Sequence, residues 1–275
     1  GNTNSAAQMA LALMLNVSRN IPQAHHSLKN GVWLKKQFEG AEITPDTVLG
    51  IIGCGRIGQR LSQLVSGLDM KVVGYDIAPE RVKSDFPHSR IEYKEKIEQV
   101  LGISDFVSIH VDGDIKLIGE KELSLMKPSA YIINVSRGPN VDEDALYQAL
   151  TNKTIAGAGL DVYKTEPKEG ARFESKFAGL ENVVLIPHLG ASTLQAQEKT
   201  SKEIAEAVIG FLLGGDYTKA LNAKGTVQAE QRQVYPIFIH HVDQLGLFAQ
   251  IDAVLAGAGI NIRENNSRQI GSNGN

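Results

Sequence analysis

Three textures of hydrophobic and polar positions follow one another along the 275-residue chain. The first, "AAQMALALMLNV", is apolar almost throughout, broken only by Gln8 and Asn16. It predicts a buried helix capped by Asn4 or Ser5 and running to about Asn20. Pro22 suits the first turn of a second helix and Gly31 its exit. From Thr47 the texture changes to short β-prone runs, "TVLGIIG", "KVVGYD", "DFVSIH", "AYIINVS", "TIAGAGLDV" and "NVVLIP". Several are nearly continuous in apolar residues and are separated by helix-like or loop segments, the pattern of a parallel sheet buried on both faces. Beyond them, "STLQ" offers a capping box between Ser192 and Gln195. The helix it opens carries Ile204, Val208 and Leu212 on one face and stops at Gly214-Gly215. The third texture begins with "DYTKALNAKGTVQAEQRQ", polar and poor in β-branched residues, which reads as a linker. "VYPIFIHHV", "LGLFAQIDAVLAGAG" and "INIREN" then predict strand, helix, strand and a Ser/Asn/Gly-rich tail.

Composition narrows the function. With 42% hydrophobic and 21% charged residues, the chain is ordinary globular protein, long enough for one large domain and a smaller one. A net charge of -3 gives no general attraction to nucleic acid or to an anionic membrane, so a small-molecule task is expected. The single cysteine, Cys54, cannot form an internal disulfide, and no Cys/His cluster has zinc-site spacing. A reducing, cytoplasmic setting and no metal are therefore expected. The apolar first helix is interrupted and has no basic leader, so it fits neither a membrane span nor a signal peptide.

"GIIGCGRIGQRLSQL" places Gly53, Gly55 and Gly58 in G-x-G-x-x-G spacing between a strand and an amphipathic helix. In that context Gly53 permits a tight turn, Gly55 leaves room for a pyrophosphate and Gly58 lets the helix pack on the strand. Amides near Arg56 and Ile57, at the positive helix end, can hold the phosphates. The next strand ends at Asp76, whose carboxylate can accept both ribose hydroxyls of adenosine and would repel a 2'-phosphate, which favours NAD over NADP. An adenosyl-dependent methyltransferase is the competing reading. Cys54 is expected to fill space under the loop.

Three later strand ends carry polar chemistry: "NVSRG" with Arg137, "LDVYKTEP" with Asp161 and Glu166, and "IPHLG" with His188. The carboxyl ends of parallel strands converge on one crevice, so these residues can meet. His188 can serve as a base for a substrate hydroxyl, Glu166 can hold its imidazole in one tautomer, and Arg137 can grip a carboxylate with two parallel hydrogen bonds. Each also has a plainer reading. Arg137 can pair with a surface acid, Glu166 can merely precede the turn at Pro167, and His188 can bond a backbone carbonyl.

In order and surroundings, "GNTNSAA", "GIIGCGRIG", "DFVSIH", "LIGEKELSLMKPSAYIINVSRG", "VDEDALYQAL", "AGAGLDVYKTEP" and "NVVLIPHLGAST" resemble the D-isomer-specific 2-hydroxyacid dehydrogenases, most of all their phosphoglycerate dehydrogenase branch. The resemblance covers roughly residues 1–222 and implies a Rossmann-type doubly wound α/β domain that binds NAD. It assigns catalysis to Arg137, Glu166 and His188, the nicotinamide amide to Asp161, and the cofactor-lining loops to Val135, Ser136, Arg137, His188 and Gly190. The implied reaction is oxidation of D-3-phosphoglycerate on the way to serine, with glyoxylate, hydroxypyruvate or D-lactate reduction as the nearest alternatives. The C-terminal-binding-protein corepressors, which share fold, cofactor and triad, are an alternative of another class. The resemblance further implies a homodimer or homotetramer held by the N-terminal helices and the Trp33 loop, with Leu13, Leu28 and Trp33 seeking a partner surface. "HVDGDIKLIG" is shorter than the family's loop, which leaves His110 outside the expected site. About 100 residues of substrate domain are expected ahead of Gly1, so the chain reads as a fragment inactive alone.

Residues 223–233 are expected to link this domain to 234–275, which resemble the first part of an ACT domain, a ferredoxin-like α+β module. There His241, Asp243 and Asn261 would contact an amino-acid effector, commonly serine, although Asp243 stands where serine-responsive members often have asparagine.

Overall fold

Strong helix formers open the chain, and α1 (Thr3–Ser18) and α2 (Ile21–Lys29) form where the pattern predicts them, with Pro22 in the first turn of α2. Ala7, Ala10, Met14 and Val17 recur at helical spacing and are all buried. The expected side-chain cap of α1 is absent, because the Asn4 carboxamide oxygen instead accepts a 2.7 Å hydrogen bond from Arg60 Nε. The computed structural model describes residues 1–214 and 247–260, and the chain divides into two compact units, Gly1–Thr200 and Ser201–Asn275.

In the first unit the strands are β1 (Val48–Ile52), β2 (Lys71–Tyr75), β3 (Glu92–Tyr93), β4 (Phe106–Ile109), β5 (Tyr131–Asn134), β6 (Gly157–Leu160) and β7 (Val183–Leu185). Between them lie α3 (Arg56–Val65), α4 (Pro79–Asp85), α5 (Ile97–Leu101), α6 (Glu120–Ser124) and α7 (Glu143–Thr151). All pairings are parallel, in the order β3-β2-β1-β4-β5-β6-β7. This is a doubly wound Rossmann-type sheet, with its topological switch between β1 and β4. Six strands match the six apolar runs. The seventh, β3, is a two-residue edge strand of one acidic and one aromatic residue, too short to leave a periodic signal.

The pleat sorts side chains into two cores, which is why the strands read as continuously apolar. Leu49, Ile51, Phe106, Ile133 and Val184 pack with α1 and α3 residues on one face. Ile52, Val107, Ile109, Ile132, Leu160 and Val183 pack on the other with residues of α5, α6 and α7. Leu13, expected to need a partner surface, is 2% exposed within the first core.

After β7, α8 runs Leu194–Gly214. Its cap lies one residue later than the expected box: Thr193 Oγ1 accepts from the Ala196 amide at 3.1 Å and the Thr193 carbonyl from Gln197. In the second unit α9 (Leu247–Gly257) forms in the stretch that predicted a helix. The linker at 223–233, the two strands flanking α9, and His241, Asp243 and Asn261 lie outside the described residues.

Candidate functional site

Ladder register, not local sequence, assembles the site. Tyr75, Ile52, Ile109, Asn134, Leu160 and Leu185 form one continuous row of partners across β2, β1, β4, β5, β6 and β7. Each ends its strand. Residues just beyond the row therefore emerge along one line about 24 Å long, five strand spacings of about 4.8 Å. Asp76, Gly53, His110, Val135 to Arg137, Asp161 and the turn at His188 all lie on that line.

At the switch point, the glycine loop has the geometry its spacing predicts. Gly53 adopts φ 89°, and a Cβ there would stand 2.8 Å from the backbone of His110. A Cβ on Gly58 would meet the Gly53 carbonyl at 2.6 Å, so this glycine lets α3 press onto β1. At Gly55 a Cβ would meet no protein atom within 4 Å, leaving an open slot at the helix start where first-turn amides have no intrahelical acceptor. Asp76 braces the loop: its Oδ2 accepts from the Cys54 amide at 2.8 Å and its Oδ1 from the Ala78 amide at 2.9 Å. Each oxygen keeps a lone pair for a ribose hydroxyl. A dinucleotide fits this cradle. Cys54 is fully buried beneath it, its thiol pushed up by burial and by Asp76, and so it packs as expected.

His110 is a part-buried residue whose ring Nδ1 is buried without a partner, while Nε2 lies 2.9 Å from Ser108 Oγ. Burial pushes its pKa down to about 4. The unfolded chain, with an ordinary imidazole, takes up a proton below about pH 6.5, which the folded one refuses until about pH 4. Stability is therefore lost as pH falls through that window, by up to about 3 kcal/mol, and is unaffected above it. Urea midpoints should decline less steeply over this range in His110→Asn. Identical slopes in the two proteins would remove His110 from the account.

Beyond β5, a buried amide network holds the arginine segment. Asn134 Oδ1 accepts from the Ser136 amide at 3.1 Å, and Asn134 Nδ2 donates to the Arg137 carbonyl at 2.9 Å. Asn140, fully buried, donates to the carbonyls of Gly113 and Ile115, both at 2.9 Å, and so docks the short loop after His110 against this segment. These asparagines were not among the expected site residues, and an asparagine ending the apolar run "YIIN" is the signal that marks one of them. The Arg137 guanidinium is half exposed. Its Nη1 donates to the Ser136 carbonyl at 2.7 Å, and its Nη2 lies 3.4 Å from Asp112 Oδ1. The surface-acid pairing is thus realised, with an aspartate that is 96% exposed and leaves the guanidinium open to exchange.

Glu166 and His188, 22 residues apart, meet as expected: Glu166 Oε2 lies 2.8 Å from His188 Nδ1. The other carboxylate oxygen accepts from the Tyr163 amide at 3.3 Å. Tyr163 Oη reaches the carbonyls of Leu160 at 3.1 Å and Ile186 at 2.9 Å, stitching the ends of β6 and β7 beneath the pair. With Nδ1 facing the carboxylate, Nε2 is left to exchange a proton.

Asp161 is employed differently from the expectation. Its Oδ1 accepts from the Leu189 amide at 2.5 Å and its Oδ2 from the Gly190 amide at 2.8 Å. Its own carbonyl accepts from the His188 amide at 2.9 Å. Burial pushes the carboxyl up, opposed by these two amides and by His188.

A family profile described as D-isomer specific 2-hydroxyacid dehydrogenase, NAD binding domain, matches residues 11–190. The chain is 36% identical over 239 residues to a D-3-phosphoglycerate dehydrogenase of Synechocystis, covering 86% of this chain and 42% of that protein. It is 38% identical over 255 residues to one of Mycobacterium tuberculosis, covering 91% and 46%. The chain thus spans less than half the length of these two relatives. Among solved structures, it is similar to D-lactate dehydrogenase from Aquifex aeolicus complexed with NAD and lactic acid, with TM-score 0.66, 28% identity, and coverage of 76% of this chain and 66% of that one.

Proposed function

Given that the chain belongs to the D-isomer-specific 2-hydroxyacid dehydrogenase family, we propose that the protein transfers a hydride between NAD(H) and C2 of a small 2-hydroxy acid, with D-3-phosphoglycerate as substrate. The 2.8 Å contact between Glu166 and His188 carries this reading, because it leaves Nε2 free for a substrate hydroxyl on the same line as Arg137 and the glycine cradle. NAD held there would supply hydride chemistry at the nicotinamide ring. In oxidation His188 Nε2 accepts the hydroxyl proton and Glu166 stabilises the charged ring through Nδ1; in reduction the imidazolium returns the proton. Arg137 exchanges Asp112 for the substrate carboxylate. The names of the two bacterial relatives support phosphoglycerate, and a serine effector at His241, Asp243 and Asn261 and a cytoplasmic setting belong to the same reading.

Asp76 makes the cofactor choice testable. NADH should bind well and NADPH poorly, since the carboxylate accepts two ribose hydroxyls and opposes a phosphate dianion. Asp76→Ser should narrow the gap in fluorescence titrations. Equal affinities in the unaltered chain would defeat the assignment.

Self-association belongs to the same proposal. Leu28, Val32 and Trp33 stand 57%, 47% and 76% exposed on one short segment, and a second copy of the chain would cover them. A clean monomer by sedimentation at micromolar concentration would remove that part.

A further inference from the structure

His188 is one of four described residues other than glycine with positive φ, at 53°. For an L-residue with a branched polar side chain that conformation is sparsely populated and persists only when its surroundings over-determine it. The turn that imposes it follows Pro187 and carries two consecutive amides, Leu189 and Gly190, aimed at one carboxylate. That carboxylate belongs to Asp161, at the end of a neighbouring strand and 1% exposed. The Asp161 carbonyl takes the amide of His188 itself. Three successive amides of the turn are thus bonded to one residue. Gly190 is matched to this arrangement, since a Cβ there would stand 2.8 Å from Asp161 Oδ2. Among the ionisable side chains, His188, Glu166 and Tyr163 feel the Asp161 charge.

We propose that Asp161 is a positioning residue, which holds the left-handed turn carrying His188 and acts on the imidazole through the peptide amides of Leu189 and Gly190 rather than through the cofactor. With both oxygens committed and the residue closed to solvent, the carboxylate does not offer an open contact to a nicotinamide amide in this conformation. It sets where the ring sits relative to Glu166, and so which nitrogen is left for a proton. The inference rests on the reading of His188 as the proton carrier for its functional meaning, but its geometry stands without it.

Nuclear magnetic resonance of the ligand-free chain, with histidine ring and backbone amide signals assigned, tests it without a substrate. Asp161→Asn is isosteric but turns an NH2 group toward one of the two amides. Hydrogen exchange at Leu189 or Gly190 should quicken by roughly tenfold or more, the factor that follows from losing a hydrogen bond to a charged group. The His188 ring resonances should move as its contact with Glu166 is lost. Gly190→Ala keeps the carboxylate and pushes the turn away from it sterically, so it should move the same ring signals. If either variant leaves His188 unmoved, the proposal is overturned. So it is if Asp161→Asn weakens NADH binding while the free chain's turn is untouched, which would return the carboxylate to the cofactor. Failure of the unaltered chain to bind NADH at all would instead count against the dehydrogenase reading, and the ring signals would still decide the role of Asp161.

Discussion

His188→Asn lowers turnover by an expected factor of about 10² to 10⁴ in both directions, the usual worth of a positioned acid-base group. Asparagine is chosen because it tolerates left-handed backbone better than other non-glycine residues, and position 188 sits at φ 53°. A β-branched replacement would strain the turn and confuse loss of a proton carrier with loss of its scaffold. Asparagine can bond to Glu166 but has no nitrogen that cycles between protonated and neutral near pH 7, so binding partners survive and proton transfer does not. The measurement is steady-state absorbance at saturating NADH, with NADH affinity determined separately. NADH affinity should change far less than turnover. A kcat within about tenfold of the parent would mean that the proton travels by another route.

Gly138→Ala should cause the largest loss of stability. A Cβ at this position would lie 2.0 Å from the carbonyl carbon and oxygen of Tyr163 and 2.4 Å from the Lys164 amide. These are backbone atoms, with no flexible end to swing aside. The contact is where the segment bearing Arg137 presses on the segment bearing Glu166, so relief requires the two to part. Overpacking of this kind costs about 1–3 kcal/mol. For a domain of this size that lowers the melting temperature by roughly 3–10 °C, and activity should fall with it. Gly55→Ala is the counterpart. Its Cβ meets no protein atom within 4 Å, so thermal stability should hold while NADH binding is lost to the methyl group in the slot. A variant pair with the opposite pattern would contradict both assignments of crowding.

What was legible in the chain was what is written locally. The glycine loop, its strand and its helix occupy fifteen consecutive residues, so spacing and context reveal them together. The strands of the inner sheet announce themselves because both faces are buried. Arg137, Glu166 and His188 were legible as strand-end polar residues, and the ladder register then brings them to one line. The rest depended on partners distant in sequence. Asp161 meets the Leu189 amide across 28 positions and Arg137 meets Asp112 across 25, distances at which no periodicity operates. Local rivalry hid other features: Asn4 had two possible employments, capping or bonding Arg60, and the long-range one won. The hydroxyls of Ser192 and Thr193 were both able to cap α8, and the difference between them is a single residue of backbone geometry.

The shared row of strand ends also decides where this chain can tolerate insertions and deletions. One residue added to β5 or β6 would advance everything after it by about 3.3 Å and turn alternate side chains to the opposite face. Arg137 or Asp161 would leave the line, and the two cores would exchange apolar for polar positions. The loop between β4 and α6 carries no such constraint, because Asn140 grips it through two carbonyls rather than through side chains. Length variation in this domain is therefore confined to the loops beyond the row, where substrate preference can change by gain or loss of whole residues while the proton-transfer pair stays in register.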